Sequence, residues 1–386
     1  MSTPLPAGFT CHVANIGIKD DTDDFVVLTA ARPVAAAGVF TRSLFAGPSV
    51  LVSREHLDDG RARAIVVVSK NANVANGPAG LDDARELVAG VAARLGCEPH
   101  DVLVASTGVI GRRYPIDRVR AGVAAMPTNP EGVSADDAAR GIMTTDTVAK
   151  LASARVAGGA ARVVGIAKGV GMIEPDMATM IAVVLTDADV ASDALDAAFR
   201  RAVDVTFNCV SIDTDTSTSD TAVILASGEA GPVDADAFAA ALHAVCLDLT
   251  KQIARDGEGA ETLIEVTVDG ARDPQQAKLV AKSIVNSPLV KTAVHGADPN
   301  WGRVAMAIGK CSDETDIDPE RVIIRFGATE VYPTRVDDAG LAALSEHLRG
   351  DEVTIHVTLG TGDAAATVWG CDLTDGYVRI NADYTT

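Results

Sequence analysis

Thr179 is the residue in this chain best placed for covalent chemistry. It follows Ala178 and lies between two short, uncharged, β-branched runs, residues 163–167 and 180–185. Runs of that kind predict buried strands. Gly169, Gly171 and Pro175 fall between them, and such residues tolerate or impose unusual backbone angles. Thr179 therefore sits where a loop feeds a strand, a sensible place for a strained peptide bond. A threonine hydroxyl is a weak nucleophile until its proton is removed. Scission of the Ala178–Thr179 bond would give Thr179 a free α-amine of unperturbed pKa roughly 7.7–8.0, tethered to its own hydroxyl and able to act as the base. On spacing alone the glycines are a turn signal of low specificity, and an ordinary strand threonine is the competing reading.

Three further clusters carry chemistry. Residues 102–105 predict a buried strand that runs into Ser106-Thr-Gly-Val-Ile-Gly111. A strand entering a glycine turn leaves backbone N–H groups pointing outward, which suits an oxyanion, although a plain βα turn has the same pattern. Neither the P-loop spacing nor a dinucleotide fingerprint is present, so nucleotide phosphates are discounted. Thr144-Thr-Asp-Thr147 follows a helix that Ser134 caps, and helix-end hydrogen bonding competes with a ligand role there. Gly257 and Gly259 flank a single carboxylate, Glu258, at a helix end, where glycine is also a common stop. Residues 208–221 are dense in hydroxyls and carboxylates and read as a polar loop, with a cation left open. His295 reads as structural rather than as part of a relay.

Composition narrows the classes. At 386 residues the chain can hold a large core, and with 47% hydrophobic but only 4% aromatic residues that core is aliphatic. A formal charge of −20, spread along the chain, argues against nucleic acid and anionic membranes. The six cysteines form no CxxC pair and fall at no metal-ligand spacing with histidine, so neither a zinc site nor a disulfide framework is expected. They read as buried reduced thiols of a cytoplasmic protein. The N-terminus has no signal-peptide pattern, and no apolar stretch reaches membrane-spanning length.

These residues need a scaffold of alternating strands and helices. Residues 25–28, 38–40 and 50–52 predict an antiparallel meander, and residues 64–69 a further strand. Helices are expected over 82–95, 134–143, 192–207, 234–255 and 275–285, each with apolar 3.6-residue spacing or a cap. The end of the chain, after 321, is strand-rich with one helix near 341–348. An apolar, tyrosine-bearing C-terminus argues against a loose tail, although free termini often fray.

Lys168-Gly-Val-Gly-Met-Ile-Glu-Pro-Asp-Met-Ala-Thr-Met180 resembles the self-cleavage signature of the ornithine acetyltransferases, also called glutamate N-acetyltransferases. The Thr107-Gly108 turn, the Thr-Thr-Asp-Thr run, residues 208–221, Asp256-Gly-Glu-Gly-Ala260, residues 286–303 and the C-terminal end are similar to that family as well. The resemblance covers about residues 8–386. It implies an α/β (α+β) chain of αββα type, with mixed sheets and helices packed outside. It implies self-cleavage into an α chain, 1–178, and a β chain, 179–386, assembled as an (αβ)2 heterotetramer. Acetyl would pass from N-acetylornithine to glutamate by ping-pong transfer through acetyl-Thr179, without cofactor or metal. Thr107 and Gly108 would form the oxyanion hole. Thr144 or Thr145, Lys168, Glu258, Asn381 and Thr386 would contact substrate, with Lys168 serving a substrate carboxylate or tuning the Thr179 amine. One departure stands out. Arginine-pathway members usually carry Asn and no acid just before Met-Ala-Thr, whereas Glu174 and Asp176 occupy that stretch here. In this and in its C-terminal half the chain looks more like the member associated with clavulanic acid biosynthesis. An N-terminal-nucleophile amidohydrolase or aminopeptidase, and a non-catalytic binding protein that stays uncut, are the rival classes.

Overall fold

Neighbouring side chains on a strand point to opposite faces, and that parity sorts the core of this protein into layers. The computed structural model describes residues 2–174 and 180–383. The strands are β1 (Phe9–Ala14), β2 (Phe25–Phe40), β3 (Arg61–Val68), β4 (Val102–Ser106), β5 (Lys150–Arg155), β6 (Arg162–Lys168), β7 (Ile181–Thr186) and β8 (Thr221–Ala226), then β9 (Leu263–Ala271), β10 (Ile323–Phe326), β11 (Thr329–Tyr332), β12 (Glu352–Thr358) and β13 (Ala364–Cys371). The first eight form one sheet in the order β4-β3-β2-β8-β7-β6-β5, with β1 beside β2.

The long strand β2 makes this sheet fold over. Its first residues pair with β1 and β3, and its register breaks between Thr29 and Val34. Residues 35–40 then pair with β8. Such a break bends a strand, and here it turns one sheet into two facing halves. Val26, Leu28, Ile65, Val67 and Leu103 from the first half meet Ile166, Val183, Leu185, Val223 and Leu225 from the second in one buried cluster. The alternate residues of the first half, among them Phe25, Val27, Val66 and Val104, pack outward with helices Gly77–Leu95 and Ile116–Ala125. Those of the second half, Val163, Val184 and Ile224, pack outward with Ser192–Val205 and Ala235–Arg255. The layers run α-β-β-α, as the resemblance implied. Aliphatic side chains fill most of the middle, with Phe9 and Cys11 among them, and truncating a fully buried one such as Leu225 should cost about 2–5 kcal/mol.

The other five strands form a second mixed sheet, β11-β10-β12-β9-β13. Helix Pro274–Val285 covers it, while Ala235–Arg255 touches both this sheet and strands β5 and β6. Residues 256–260 thus leave a helix wedged between the two sheets.

Several expectations change. Residues 25–28 and 38–40 are the two ends of β2 rather than separate strands. Residues 50–52 are not a strand but lie in helix Pro48–His56, which buries Val50 and Val52. Pro48 at its first turn supplies the fixed φ that starts a helix, and an apolar run this short suits either structure. Helices Ile116–Ala125, Pro288–His295 and Trp301–Gly309 were not foreseen. The last element, Asp375–Asp383, is a helix without a buried side chain. Ser134 caps its helix as expected, in a reciprocal capping box with Asp137. Among the described residues no helix is long and apolar enough to cross a membrane.

Candidate active site

Strands β6 and β7 are antiparallel neighbours with Lys168 opposite Ile181. The chain between them therefore leaves and rejoins the sheet at the same edge. Ala178 and Thr179 lie outside the described residues, but both ends of their segment are anchored. On the near side Gly169 N–H donates to Asp146 Oδ1 at 2.7 Å. The Met172 and Ile173 amides donate to the Asp213 carboxylate at 2.6 and 2.8 Å. Glu174 holds the next position: Lys282 Nζ is 3.2 Å from Oε1, Asn286 Nδ2 donates to Oε2 at 2.9 Å, and the Ser211 hydroxyl donates to Oε2 as well. On the far side the Met180 amide donates to Asp220 Oδ1 at 3.0 Å, and its carbonyl accepts from Thr221 N–H at 3.0 Å. The carboxylates of the 208–221 loop that these bonds name receive backbone amides.

Lys168 closes β6 and is 4% exposed. Its ammonium lies 3.9 Å from Asp146 Oδ2. Burial lowers its pKa, and the Asp146 carboxylate beside it is the largest opposing influence. Asp146 also takes Lys150 Nζ at 2.7 Å and the Thr144 amide at 3.1 Å. Lys150 is fully buried and pairs in addition with Asp256, which accepts the amide and hydroxyl of Thr147. Burial pushes the Asp146 carboxyl up, but Lys168 and Lys150 override it and hold it at about 2. Two buried cations and two buried anions in contact meet the condition under which interior charge is tolerated. The network ties residues 144–147, the end of β6 and residues 256–258 into one unit.

Glu258 is half-buried and lies against Gly171. Any side chain at Gly171 would come within 2.6 Å of the Glu258 carboxylate. The Glu258 amide donates to Val170 O at 2.8 Å, and its Oε2 accepts from Asn381 Nδ2 at 2.8 Å. Burial raises the Glu258 pKa, and the bond from Asn381 opposes that rise. Gly259 is required here: at φ +68° its Cα faces the Tyr377 amide, which a Cβ would meet at 2.4 Å.

The turn at Thr107-Gly108 refines the oxyanion expectation. The Thr107 amide is already used, donating to Val68 O at 3.2 Å. Two donors remain at this turn without a partner among the described residues, the Thr107 hydroxyl and the Gly108 amide. Gly108 has φ +129°, and a Cβ there would fall 2.2 Å from the Lys70 carbonyl carbon, so the turn lies flat on residues 70–71. The Ser106 hydroxyl donates to Ala72 O at 3.3 Å. A side chain at Gly47 would come 3.7 Å from that same oxygen, and the Gly47 amide donates to Thr218 O at 2.8 Å. The turn and the Asp220 anchor thus share a wall.

The structure brings Lys168, Glu258 and Asn381 together, with Thr144 joined through its amide. The Thr145 side chain is exposed with its residue, and Thr386 lies outside the described residues. His295 Nδ1 pairs with the buried Asp372 at 3.2 Å, and Asp372 also accepts the amides of Glu261 and Thr262, in keeping with a structural role. Lys150, Asp146, Asp213 and Asp220 were missed as individual residues. Lys150 showed in the sequence only as a charge beside apolar residues, and Asp146, Asp213 and Asp220 only as members of polar runs.

Two donors at a glycine turn, a buried lysine and a half-buried carboxylate form the candidate site on an αββα frame. The profile of the ArgJ family matches residues 10–386, and the chain belongs to that family. It is similar to "Arginine biosynthesis bifunctional protein ArgJ 2" of Nostoc sp., 58% identical over 385 residues, covering 100% of this chain and 99% of the relative. It is equally similar to "Glutamate N-acetyltransferase Oat2" of Streptomyces clavuligerus, 58% identical over 392 residues with the same coverage. Among solved structures it matches the ArgJ protein of Bacillus halodurans at 43% identity and TM-score 0.48, over 51% of this chain and 96% of that one.

Proposed function

We propose that this protein cuts itself before Thr179 and then moves the acetyl group of N-acetyl-L-ornithine to L-glutamate by ping-pong transfer. The Thr179 hydroxyl attacks the acetyl carbonyl while the Thr179 α-amine takes its proton. The Thr107 hydroxyl and the Gly108 amide receive the oxyanion. Collapse expels ornithine, whose amine leaves with that proton, and an acetyl-Thr179 ester remains. In the second half the neutral glutamate α-amine attacks the ester, its proton passes through the Thr179 α-amine to the threonine oxygen, and the hydroxyl is restored as N-acetylglutamate departs.

Amino-acid substrates present a carboxylate and an ammonium, and the site has a partner for each. Lys168, held by Asp146, takes the carboxylate or tunes the Thr179 amine. Glu258, held by Asn381, takes the ammonium. Thr144 or Thr145 and Thr386 complete the pocket. The gathering of Lys168, Glu258 and Asn381 at residues 168–171, which lead into the 175–179 segment, is the observation that supports this reading most. The products of cleavage, residues 1–178 and 179–386, assemble as an (αβ)2 heterotetramer in the cytoplasm. The reaction serves arginine biosynthesis, as the relatives' names state, or a clavulanic acid cluster, to which Glu174 and Asp176 point.

The deciding assay supplies N-acetylornithine with and without glutamate. Transfer predicts N-acetylglutamate formation, with little acetate released when glutamate is omitted. Equal acetate release in both conditions would make the protein an amidohydrolase.

A further inference from the structure

Asp220 is a titratable side chain that the reaction above does not use. It is fully buried, and it stands directly beside the nucleophile in covalent terms. The Met180 nitrogen that donates to its Oδ1 at 3.0 Å belongs to the peptide bond following Thr179. Strands β7 and β8 are parallel with Ile181 opposite Thr221, so Asp220 arrives beside Met180 by register. Thr221 N–H holds the Met180 carbonyl from the same side. Both main-chain polar groups of Met180 are therefore bound by consecutive residues, Asp220 just before β8 and Thr221 at its start.

The other oxygen behaves differently. Asp220 Oδ2 is buried with no hydrogen bond of good geometry. Around it stand the hydroxyls of Thr41 and Ser217 and, further off, the ammonium of Lys168. The Thr41 hydroxyl gives its proton to Ser217 O at 2.7 Å, and Ser217 Oγ accepts from the Ser219 amide at 3.1 Å. An orphaned buried polar atom is rare and calls for a reason.

We propose that Asp220 is the positioning residue for the nucleophile, fixing the Thr179–Met180 peptide through Oδ1 and acting as a neutral acid in both self-cleavage and acetyl transfer. The proposal rests on the reading of Thr179 as nucleophile. Burial pushes the Asp220 pKa well above its ordinary value, while the Met180 amide, Thr41, Ser217 and Lys168 pull it down. A neutral acid keeps one acceptor for Met180 and carries one donor on Oδ2, which a carboxylate could not supply. Asparagine has the same pair, an acceptor and a donor on a side chain of the same shape. Leucine keeps the volume and loses both, leaving the Met180 N–H buried and unpaired.

The full chain should be made as native, Asp220→Asn and Asp220→Leu, with cleavage, kcat, KM and thermal unfolding followed for each. Misplacing a reacting group by about an ångström costs on the order of 100-fold, so Asp220→Leu should cut slowly and lose about 10- to 100-fold in kcat with a smaller change in KM. Asp220→Asn should cut, stay within a factor of about three in kcat and keep the native pH–rate midpoint. An Asp220→Leu protein that cuts and turns over like native would overturn the role. So would an Asp220→Asn protein that loses about 100-fold or more in kcat, since that would require an ionised or titrating Asp220. If the leucine variant does not fold, the asparagine variant decides alone by the same two readings. Native protein that neither cuts nor transfers acetyl would count against the nucleophile assignment, not against Asp220.

Discussion

Asn381 Nδ2 donates to Glu258 Oε2 at 2.8 Å, across 123 residues of sequence. The bond joins the last helix to the glycine-flanked carboxylate that lies on Gly171. Burial raises the Glu258 pKa and Asn381 holds it back. If Glu258 binds the substrate ammonium, it must be ionised, and kcat/KM should fall as pH drops through its pKa, at a higher pH than for an exposed glutamate. Asn381→Leu removes the bond that favours the charged form, so the acid limb of the kcat/KM profile should move to higher pH. An acid limb that stays in place in this variant would take Glu258 out of substrate binding.

At the oxyanion turn, hydroxyl and backbone separate cleanly by mutation. Thr107→Val keeps the shape and the Val68-bound amide but loses the hydroxyl. Loss of one such donor costs about 100- to 1,000-fold in turnover, so kcat should fall by that order with KM less affected. Thr107→Ser should keep most activity. Gly108→Ala should be far worse than its size implies, because its Cβ would fall 2.2 Å from the Lys70 backbone at a φ of +129°.

The buried pairs should show themselves in stability. Lys150→Met strips Asp146 and Asp256 of a shared cation in the interior, and breaking a buried pair typically costs about 3–5 kcal/mol. Denaturant unfolding of the variant should show a loss of that size, and an unchanged midpoint would mean that Lys150 is not paired in solution. Asp146 adds a pH dependence. Its folded pKa, about 2, lies below the ordinary 3.8, so its contribution is present above about pH 4 and is lost as pH falls towards 2. Acid titration of native protein should reveal that loss, and the Lys150→Met protein should show less of it.

The nucleophile and its base can be told apart at one residue. Thr179→Ala should block both cleavage and transfer, whereas Thr179→Ser should retain part of each. With the α-amine as base, transfer should rise with pH around or below roughly 7.7–8.0. Lys168⁺ disfavours a second positive charge, so Lys168→Met should move that midpoint up. A pH–rate profile flat from about pH 6 to 9, with chemistry rate-limiting, would exclude the amine as base.

Much of the frame was legible because parity and period are local. The β-branched runs that bracket Thr179 became β6 and β7, and the helix expected over 234–255 followed from its apolar stripe, with Asp234 found as its cap. Residues 25–28 and 38–40 are the two ends of one strand, whose middle holds Arg32 and Pro33. Proline is tolerated within β2 because it falls at the register shift. Asp213 and Asp220 were visible only as part of a polar run. Whether such a carboxylate takes a cation or an amide depends on what faces it, and here parallel pairing across 40 residues decides. The Thr107 amide could not be assigned from sequence either, since its partner Val68 belongs to the neighbouring strand.

Intact-mass analysis of the purified protein, before and after a brief exposure to N-acetylornithine without glutamate, tests the central claim most directly. The account predicts two chains of roughly 18 and 21 kDa, in proportion to residues 1–178 and 179–386 of the 39.7 kDa whole. Only the larger should gain the mass of one acetyl group, located on Thr179 and removed when glutamate is added. A single uncut 39.7 kDa chain that transfers acetyl at full rate, or an acetyl group that settles anywhere but Thr179, would contradict it.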